Sequence, residues 1–135
     1  MLYGQLGYKH QDSPYGFYFH PMVLENITED QPAFHEELFG PVFSIFRFND
    51  DLSAVELGNA TSYGLSASIF SRDLERAHKR ALMLECGNVF INEIVASDTA
   101  IPGGGVKDSG YGRECFSDGL HETLNRKAII VGAGK

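Results

Sequence analysis

Three short apolar segments alternate with two helical patterns in the middle of this chain, and this alternation restricts the possible folds more than any other feature. Residues 42–48 (VFSIFRF), 65–70 (LSASIF) and 88–92 (NVFIN) have the length and composition of strands, and the first is apolar enough to be buried on both faces. Residues 52–60 and 73–85 carry apolar side chains at helical spacing. A β-α-β-α-β order is typical of parallel strands joined by right-handed crossovers, so the sequence predicts an α/β fold with a parallel sheet.

Local signals indicate where these elements begin and end. The run NDD at residues 49–51 supplies N-cap side chains for the first helix, and residues 61–64 (TSYG) interrupt it. Gly87 follows the second helix where a C-cap glycine is expected. The pattern also predicts a short helix over residues 116–124 and a last strand over residues 127–131 (KAIIV).

Composition argues against several classes of function. The 135 residues suffice for one domain with a core, and the net charge of −7 argues against a nucleic-acid partner, which requires clustered Lys and Arg. No apolar run has the roughly eighteen residues of a membrane span, and the first residues lack the apolar region of a secretory signal. Two cysteines without metal-ligand spacing fit a reducing compartment, so we expect a cytoplasmic protein with no metal site and no membrane partner.

The stretch HEELFGPV contains a candidate ligand site. A carboxylate such as Glu37 can accept hydrogen bonds from both hydroxyls of a ribose, and a ring such as Phe39 can pack against a planar heterocycle. In an extended segment the two side chains would share a face. The alternative is a surface acid followed by a core phenylalanine at a strand entry, and composition alone favours that alternative.

Residues 101–114 (IPGGGVKDSGYGRE) form a glycine loop with two possible roles. Successive backbone N–H groups could bind a phosphate, although the glycines do not have the spacing of known nucleotide-binding loops. The alternative is a tight structural loop that carries the chain over the end of a sheet. Lys107 and Arg113 could bind an anion, but pairing with Asp108, Glu114 or backbone carbonyls is the better interpretation.

Two cysteines and one further loop remain as candidates for catalysis or substrate binding. Cys86 ends the second helix and Cys115 opens the short one, yet neither has a base nearby in sequence, so a structural role is favoured for both. Residues 97–99 (SDT), which follow the third strand, suit either substrate contacts or a turn.

Five segments, in order, resemble the NAD(P)-dependent aldehyde dehydrogenases. They are EELFGPV, NATSYGLSASIFSRDLERA, GNVFIN, GGVKDSGYGRE and GLHE. The residues ASD before the glycine loop and the ending SGYGRE…GLHE look most like the succinate-semialdehyde dehydrogenase branch. Members of the family are several times longer than this chain, and the resemblance is to their C-terminal portion.

The resemblance implies a partial catalytic domain. Residues 1–15 would be an irregular segment, residues 16–124 part of the aldehyde dehydrogenase catalytic domain, and residues 125–135 an oligomerisation arm that contains the last strand. The family's cysteine nucleophile, glutamate base and oxyanion-hole asparagine would lie upstream, so no catalytic residue is assigned in this chain.

Site residues are also implied by the resemblance. Glu37 would hold the nicotinamide-side ribose and Phe39 would lie beside the nicotinamide. The loop of residues 93–103, with Ser97 and Gly103, would line the mouth of the substrate tunnel. Gly103 stands where the family commonly has an aromatic residue, which implies a wider tunnel wall.

Activity and partners follow as expectations. The resemblance implies that the intact enzymes use NAD or NADP as cofactor. We expect this chain alone to bind neither cofactor stably and to be inactive. The expected partners are a second copy of the chain or a complementary dehydrogenase segment. Two alternatives stay open: a non-catalytic assembly module and, more weakly, a nucleotide-binding module.

Overall fold

The computed structural model describes residues 15–134, which belong to two compact units, Met1–Thr61 and Ser62–Lys135. The irregular segment expected for residues 1–15 lies outside the described residues, apart from Tyr15. The described residues of the first unit form two strands and two helices: β1 (Met22–Glu25), α1 (Pro32–His35), β2 (Val42–Ile45) and α2 (Asp51–Asn59). The second contains four strands and two helices: β3 (Tyr63–Gly64), β4 (Ser66–Ile69), α3 (Leu74–Ala81), β5 (Asn88–Ile91), β6 (Val106–Lys107) and α4 (Phe116–Glu122).

Parallel pairing dominates both units, which confirms the α/β class. Strand β1 pairs with β2 in parallel, with Met22 opposite Val42. Strand β4 likewise pairs with β5, with Ser66 opposite Asn88. The two-residue strands β3 and β6 form a small antiparallel pair. The predicted strands therefore lie in separate two-stranded sheets, because β2 takes β1 as its neighbour.

Helix α2 begins where the acidic run predicted. The Asp50 carboxylate accepts hydrogen bonds from the backbone N–H groups of Leu52 and Ser53, both at 2.9 Å. The Ser53 hydroxyl in turn accepts from the Asp50 N–H at 3.3 Å, which completes a capping box. Val55 is buried on the inner side of this helix.

Gly87 does not cap α3, contrary to the prediction. The helix ends at Ala81, and Leu82 closes it by donating to the carbonyl of His78 at 3.2 Å. The Gly87 N–H instead donates to the carbonyls of Gly64 and Leu65, at 3.1 and 3.0 Å. A Cβ at Gly87 would collide with the Gly104 carbonyl oxygen, so the glycine is needed for close backbone approach.

Strand β2 is shorter and more exposed than predicted. It ends at Ile45, and Phe43 and Ile45 are 64% and 42% exposed. The prediction of burial on both faces is wrong for this chain, because a two-stranded sheet with two short helices has too little structure to cover both faces. Among the described residues the buried hydrophobic side chains are those of Met22, Val55 and Ala77.

The last strand is not formed in the single chain. Residues 125–134 contain neither helix nor strand, and Ile129, Ile130 and Val131 are exposed. A strand requires a neighbour with which to exchange backbone hydrogen bonds, and this segment has none in its own unit. Its role as an oligomerisation arm stays a prediction.

Candidate functional site

Glu37 and Phe39 lie in the link between α1 and β2. Both side chains are exposed, Phe39 at 92%. Phe39 has a φ of 38°, so the link is not extended there and the expected alternation of faces does not apply. An exposed carboxylate and an uncovered ring fit one end of a dinucleotide, a ribose with its planar base. Their binding role stays a prediction.

The side chain of Asn92 joins the carboxyl ends of β4 and β5. This residue was not among the site residues predicted from the sequence. The Asn92 side chain accepts from the Ser71 N–H and donates to the Ser71 carbonyl, both at 2.8 Å. Asn92 has a φ of 58°, which turns the chain out of the sheet. The sequence did contain a signal for this turn, namely an asparagine directly after an apolar strand. Asparagine tolerates the left-handed region of backbone conformation better than most residues.

The hydrogen bonds between Asn92 and Ser71 continue through Ser71 to helix α3. The Ser71 hydroxyl accepts from the Asp73 N–H at 3.1 Å, and the Asp73 carboxylate caps α3 through the Arg76 N–H at 2.9 Å. An open depression lies at this edge of the sheet, where ligands of parallel α/β sheets bind. It is lined by Phe70, Ser71, Arg72, Leu74 and Asn92.

The loop that contains Ser97 adopts a turn. The Asp98 carboxylate accepts from the Ala100 N–H at 2.8 Å, and the Ile101 N–H donates to the Asp98 carbonyl at 3.2 Å. The turn therefore spans residues 98–101, which agrees with the turn interpretation for Asp98 and Thr99, and Ser97 precedes it. Ser97 is exposed, and its contact with substrate stays a prediction.

Consecutive glycines in the glycine loop serve different purposes. Gly103 and Glu114 form an antiparallel bridge with hydrogen bonds of 2.9 and 2.8 Å. Gly104 has a φ of 142°, and a Cβ at Gly105 would lie 2.5 Å from the Cβ of Ser109, so both positions require glycine. A Cβ at Gly103 would meet only the Glu114 side chain, at 3.5 Å. The backbone therefore does not require glycine at position 103.

The basic side chains of this loop pair with protein groups. Arg113 donates to the carbonyls of Gly105 and Gly112, at 3.0 and 2.6 Å. The Lys107 ammonium lies 2.7 Å from the carboxylate of Glu85. The prediction of pairing with backbone carbonyls is confirmed for Arg113, whereas the ion pair of Lys107 is with Glu85, which was not among the predicted partners.

The glycine loop lies at the amino ends of β4 and β5. The Asn88 side chain, at the first residue of β5, donates to the Pro102 carbonyl at 2.9 Å, and the Ser109 hydroxyl accepts from the Gly64 N–H at 3.0 Å. Residues 93–103 thus run from the carboxyl end of the pair back to its amino end. The glycine loop itself packs at one end of the pair, which agrees with its interpretation as a structural loop at the end of a sheet.

The Cys86 thiol does not resemble an activated nucleophile. The Cys86 thiol is half-buried and donates to the Asn88 carbonyl at 3.3 Å. Burial raises the pKa of this thiol above its ordinary value, although the nearby Lys107 charge opposes the shift. Cys115 is half-buried at the start of α4.

The longest helix between residues 15 and 134 is α2, with nine residues. No helix in this part of the chain is long and apolar enough to cross a bilayer.

Comparison with solved structures supports the fold. The chain superposes on a succinic semialdehyde dehydrogenase from Streptococcus pyogenes, solved in complex with NADP+, with a TM-score of 0.82 and 34% identity, covering 93% of this chain and 27% of that one. A betaine aldehyde dehydrogenase from Staphylococcus aureus gives a TM-score of 0.83 at 36% identity, covering 88% of this chain and 24% of the other.

Comparison of sequences identifies the relatives. The chain is 46% identical over 114 residues to a succinate-semialdehyde dehydrogenase (NADP+) of Deinococcus radiodurans, and 48% identical over 114 residues to the succinate semialdehyde dehydrogenase (NAD(P)+) Sad of Escherichia coli. These matches cover 84% of this chain but 24% and 25% of the relatives, so the chain spans about a quarter of their length. The model of the aldehyde dehydrogenase family matches residues 1–129. On this sequence match and the shared fold, the chain belongs to the aldehyde dehydrogenase family.

Proposed function

We propose that this chain forms the C-terminal portion of an aldehyde dehydrogenase catalytic domain and takes part, in the cytoplasm, in oxidising an aldehyde to its acid with NAD(P)+. The observation that carries this proposal is the family match over residues 1–129. Because two relatives at 46% and 48% identity are succinate-semialdehyde dehydrogenases, succinate semialdehyde is the aldehyde that we propose first.

In this proposal the first unit holds one end of the cofactor. Glu37 accepts hydrogen bonds from the ribose hydroxyls next to the nicotinamide, and Phe39 packs beside the nicotinamide ring. NAD(P)+ supplies the hydride acceptor when it is bound. Two residues at one end of a dinucleotide provide little affinity, so we expect this chain alone to bind NAD+ and NADP+ poorly.

The second unit contributes the wall of the substrate tunnel. Residues 93–103 form this wall, with the exposed hydroxyl of Ser97 available to a polar substrate group and with no side chain at Gly103. The protonated state that burial favours in Cys86 is the reverse of what a nucleophile needs. We therefore propose that the nucleophile belongs to another part of the enzyme and that this chain alone is inactive.

One experiment tests the proposed inactivity. The purified chain is mixed with succinate semialdehyde and NAD+ or NADP+, and formation of the reduced cofactor is followed by absorbance. We expect no turnover. Turnover that disappears in Cys86→Ser or Cys115→Ser would overturn the proposal.

A second experiment tests the proposed role of Glu37. The chain is co-expressed with a version of the Escherichia coli relative from which the matching segment has been removed, and aldehyde oxidation is measured. We expect Glu37→Gln to raise KM for the cofactor by about tenfold, the value of one charge-assisted hydrogen bond, with KM for the aldehyde unchanged. Glu36→Gln, at an exposed neighbouring carboxylate, is the matched control. Equal effects of the two substitutions would contradict the assignment.

A non-catalytic assembly module is the second candidate function. Exposure of Ile129, Ile130 and Val131 favours it, since contiguous exposed apolar side chains drive association. The arm would pair with a second copy or with a full-length subunit. A clean monomer in analytical ultracentrifugation at high concentration would count against self-association.

A further inference from the structure

The loop of residues 93–103 leaves strand β5 at one end and returns to the other. At the carboxyl end, the Asn92 side chain makes two hydrogen bonds of 2.8 Å to the backbone of Ser71. At the amino end, the Asn88 side-chain amide donates to the Pro102 carbonyl at 2.9 Å. The two asparagines are separated by the length of one short strand, roughly 13 Å. One strand therefore sets where the loop begins and where it ends.

Hydrogen bonds, rather than packing, hold the loop within its own unit. Every residue from 93 to 101 is exposed. Besides the contacts of the two asparagines, the Ile101 N–H donates to the Asp98 carbonyl at 3.2 Å, and the Phe116 N–H donates to the Thr99 carbonyl at 3.0 Å. The position of so exposed a loop depends strongly on each such bond.

The peptide group between Pro102 and Gly103 is held from both sides. Its carbonyl oxygen accepts from the Asn88 amide, and its N–H donates to the Glu114 carbonyl at 2.9 Å. Because a peptide group is planar, these two bonds together fix its orientation. Loss of the Asn88 amide would remove one of the two constraints and allow the peptide group to tilt.

Asn88 itself has a fixed backbone. Its N–H donates to the Leu65 carbonyl at 3.3 Å, and its own carbonyl accepts from the Cys86 thiol at 3.3 Å. It is also the first residue of β5, where it lies opposite Ser66 in the parallel register. The half-buried Asn88 side chain is thus presented to Pro102 from a well-defined place in the fold.

Gly103 makes the orientation of this peptide group relevant to substrate. In the proposed function residues 93–103 form the tunnel wall, and because Gly103 has no side chain, the backbone itself borders the substrate there. We propose that Asn88 is a positioning residue for aldehyde selection, since its hydrogen bond to Pro102 sets the place of the tunnel wall at Gly103. This inference rests on the proposed function and adds to it a group that sets discrimination between aldehydes of different width.

A comparison of two aldehydes tests the proposal. The full chain is co-expressed with the Escherichia coli relative from which the matching segment has been removed, and kcat/KM is measured for succinate semialdehyde and for the wider benzaldehyde. We expect Asn88→Leu, which removes the donor at similar volume, to lower the preference for succinate semialdehyde about fivefold, the value of one hydrogen bond. Asn88→Asp keeps the shape, also lacks the donor and should act in the same direction. KM for the cofactor should not change.

The ratio separates positioning from a general loss of stability. Both aldehydes are measured in one preparation, so a smaller folded fraction lowers both rates and leaves their ratio unchanged. Asn49→Leu makes the same change at an exposed position of the first unit and is the matched control. We expect the Asn49 variant to keep the wild-type preference.

Hydrogen exchange of the full chain alone tests the anchoring without any activity. The Gly103 N–H belongs to the peptide group that Asn88 holds, so we expect it to exchange about threefold faster in Asn88→Leu. Amides of strand β1, in the other unit, should exchange as in the wild type.

The outcomes distinguish this proposal from the proposed function. Oxidation of both aldehydes with an unchanged preference in the two Asn88 variants would overturn the positioning role alone, as would an equal change of preference in Asn49→Leu or unchanged exchange at Gly103. No oxidation of either aldehyde by the wild-type complex would contradict the proposed function, and the role of Asn88 in selection with it.

Discussion

The side-chain amide of Asn92 makes two hydrogen bonds to the backbone of Ser71, accepting from its N–H and donating to its carbonyl, each at 2.8 Å. One side chain thus joins the carboxyl ends of β4 and β5. Asn92 holds a left-handed φ of 58° while it does so, and this directs the chain into the loop that we propose as the tunnel wall.

Asn92→Ala is expected to destabilise the chain by about 1–2 kcal/mol. The substitution removes both hydrogen bonds and places a Cβ in the left-handed region without a compensating side-chain contact. Asn92→Gly, which loses the same bonds but tolerates the positive φ, should be less destabilising. Urea unfolding measures both. Equal or greater destabilisation by the glycine variant would show that the backbone conformation is not the source of the difference.

Gly87→Ala is expected to destabilise the second unit by about 2–3 kcal/mol. The new methyl group would collide with the Gly104 carbonyl, so the backbone must separate. Gly103→Ala is the control, because its Cβ makes an ordinary contact of 3.5 Å with Glu114, and we expect a change within about 0.5 kcal/mol. Thermal unfolding of both variants measures the two losses of stability. Equal destabilisation by the two substitutions would contradict the proposed collision at Gly87.

The stability of helix α2 should depend on acid pH through Asp50. Hydrogen bonds from the Ser53 backbone lower the pKa of this carboxyl below its ordinary value. Because the folded-state pKa is the lower one, the stabilisation is complete above the ordinary carboxyl pKa of about 4 and is lost as pH falls through the folded-state value. Asp50→Asn keeps the N-cap without titrating. The unfolding midpoint of this variant should therefore fall less than that of the wild type between neutral and acid pH. Parallel pH profiles would argue against Asp50 as the source of the acid dependence.

Cys86 should react slowly with iodoacetamide. Burial raises the pKa of its thiol, so the thiolate fraction near neutral pH is smaller than that of an exposed cysteine. In a Cys115→Ser background the alkylation rate should still be rising at pH values where an exposed cysteine has reached its plateau. Lys107→Met should slow it further at each pH, because Lys107 lowers this pKa. Faster reaction in the methionine variant would contradict the assigned electrostatic effect.

Elements that depend on nearby residues were predictable. The acidic run ending at Asp51 predicted the start of α2, because an N-cap acts within three residues along the chain. The alternation of strands and helices predicted parallel pairing. The pairing of Arg113 with carbonyls of its own loop also followed from composition and proximity.

The failed expectations concern residues whose partners are distant in sequence. Gly87 resembled a helix cap, but the group that requires it is the Gly104 carbonyl. Asn92 was not singled out because its partner, Ser71, is 21 positions away.

The sequence by itself determined the family, the alternation of β2, α2, β4, α3 and β5 and the ends of the capped helix, because these depend on residue type and on spacing along the chain. The tertiary structure decided which strands pair and how residues 93–103 run from the carboxyl ends of β4 and β5 back to their amino ends. Such features depend on steric and hydrogen-bonding contacts between residues far apart in sequence, and periodicity in a single chain does not specify them.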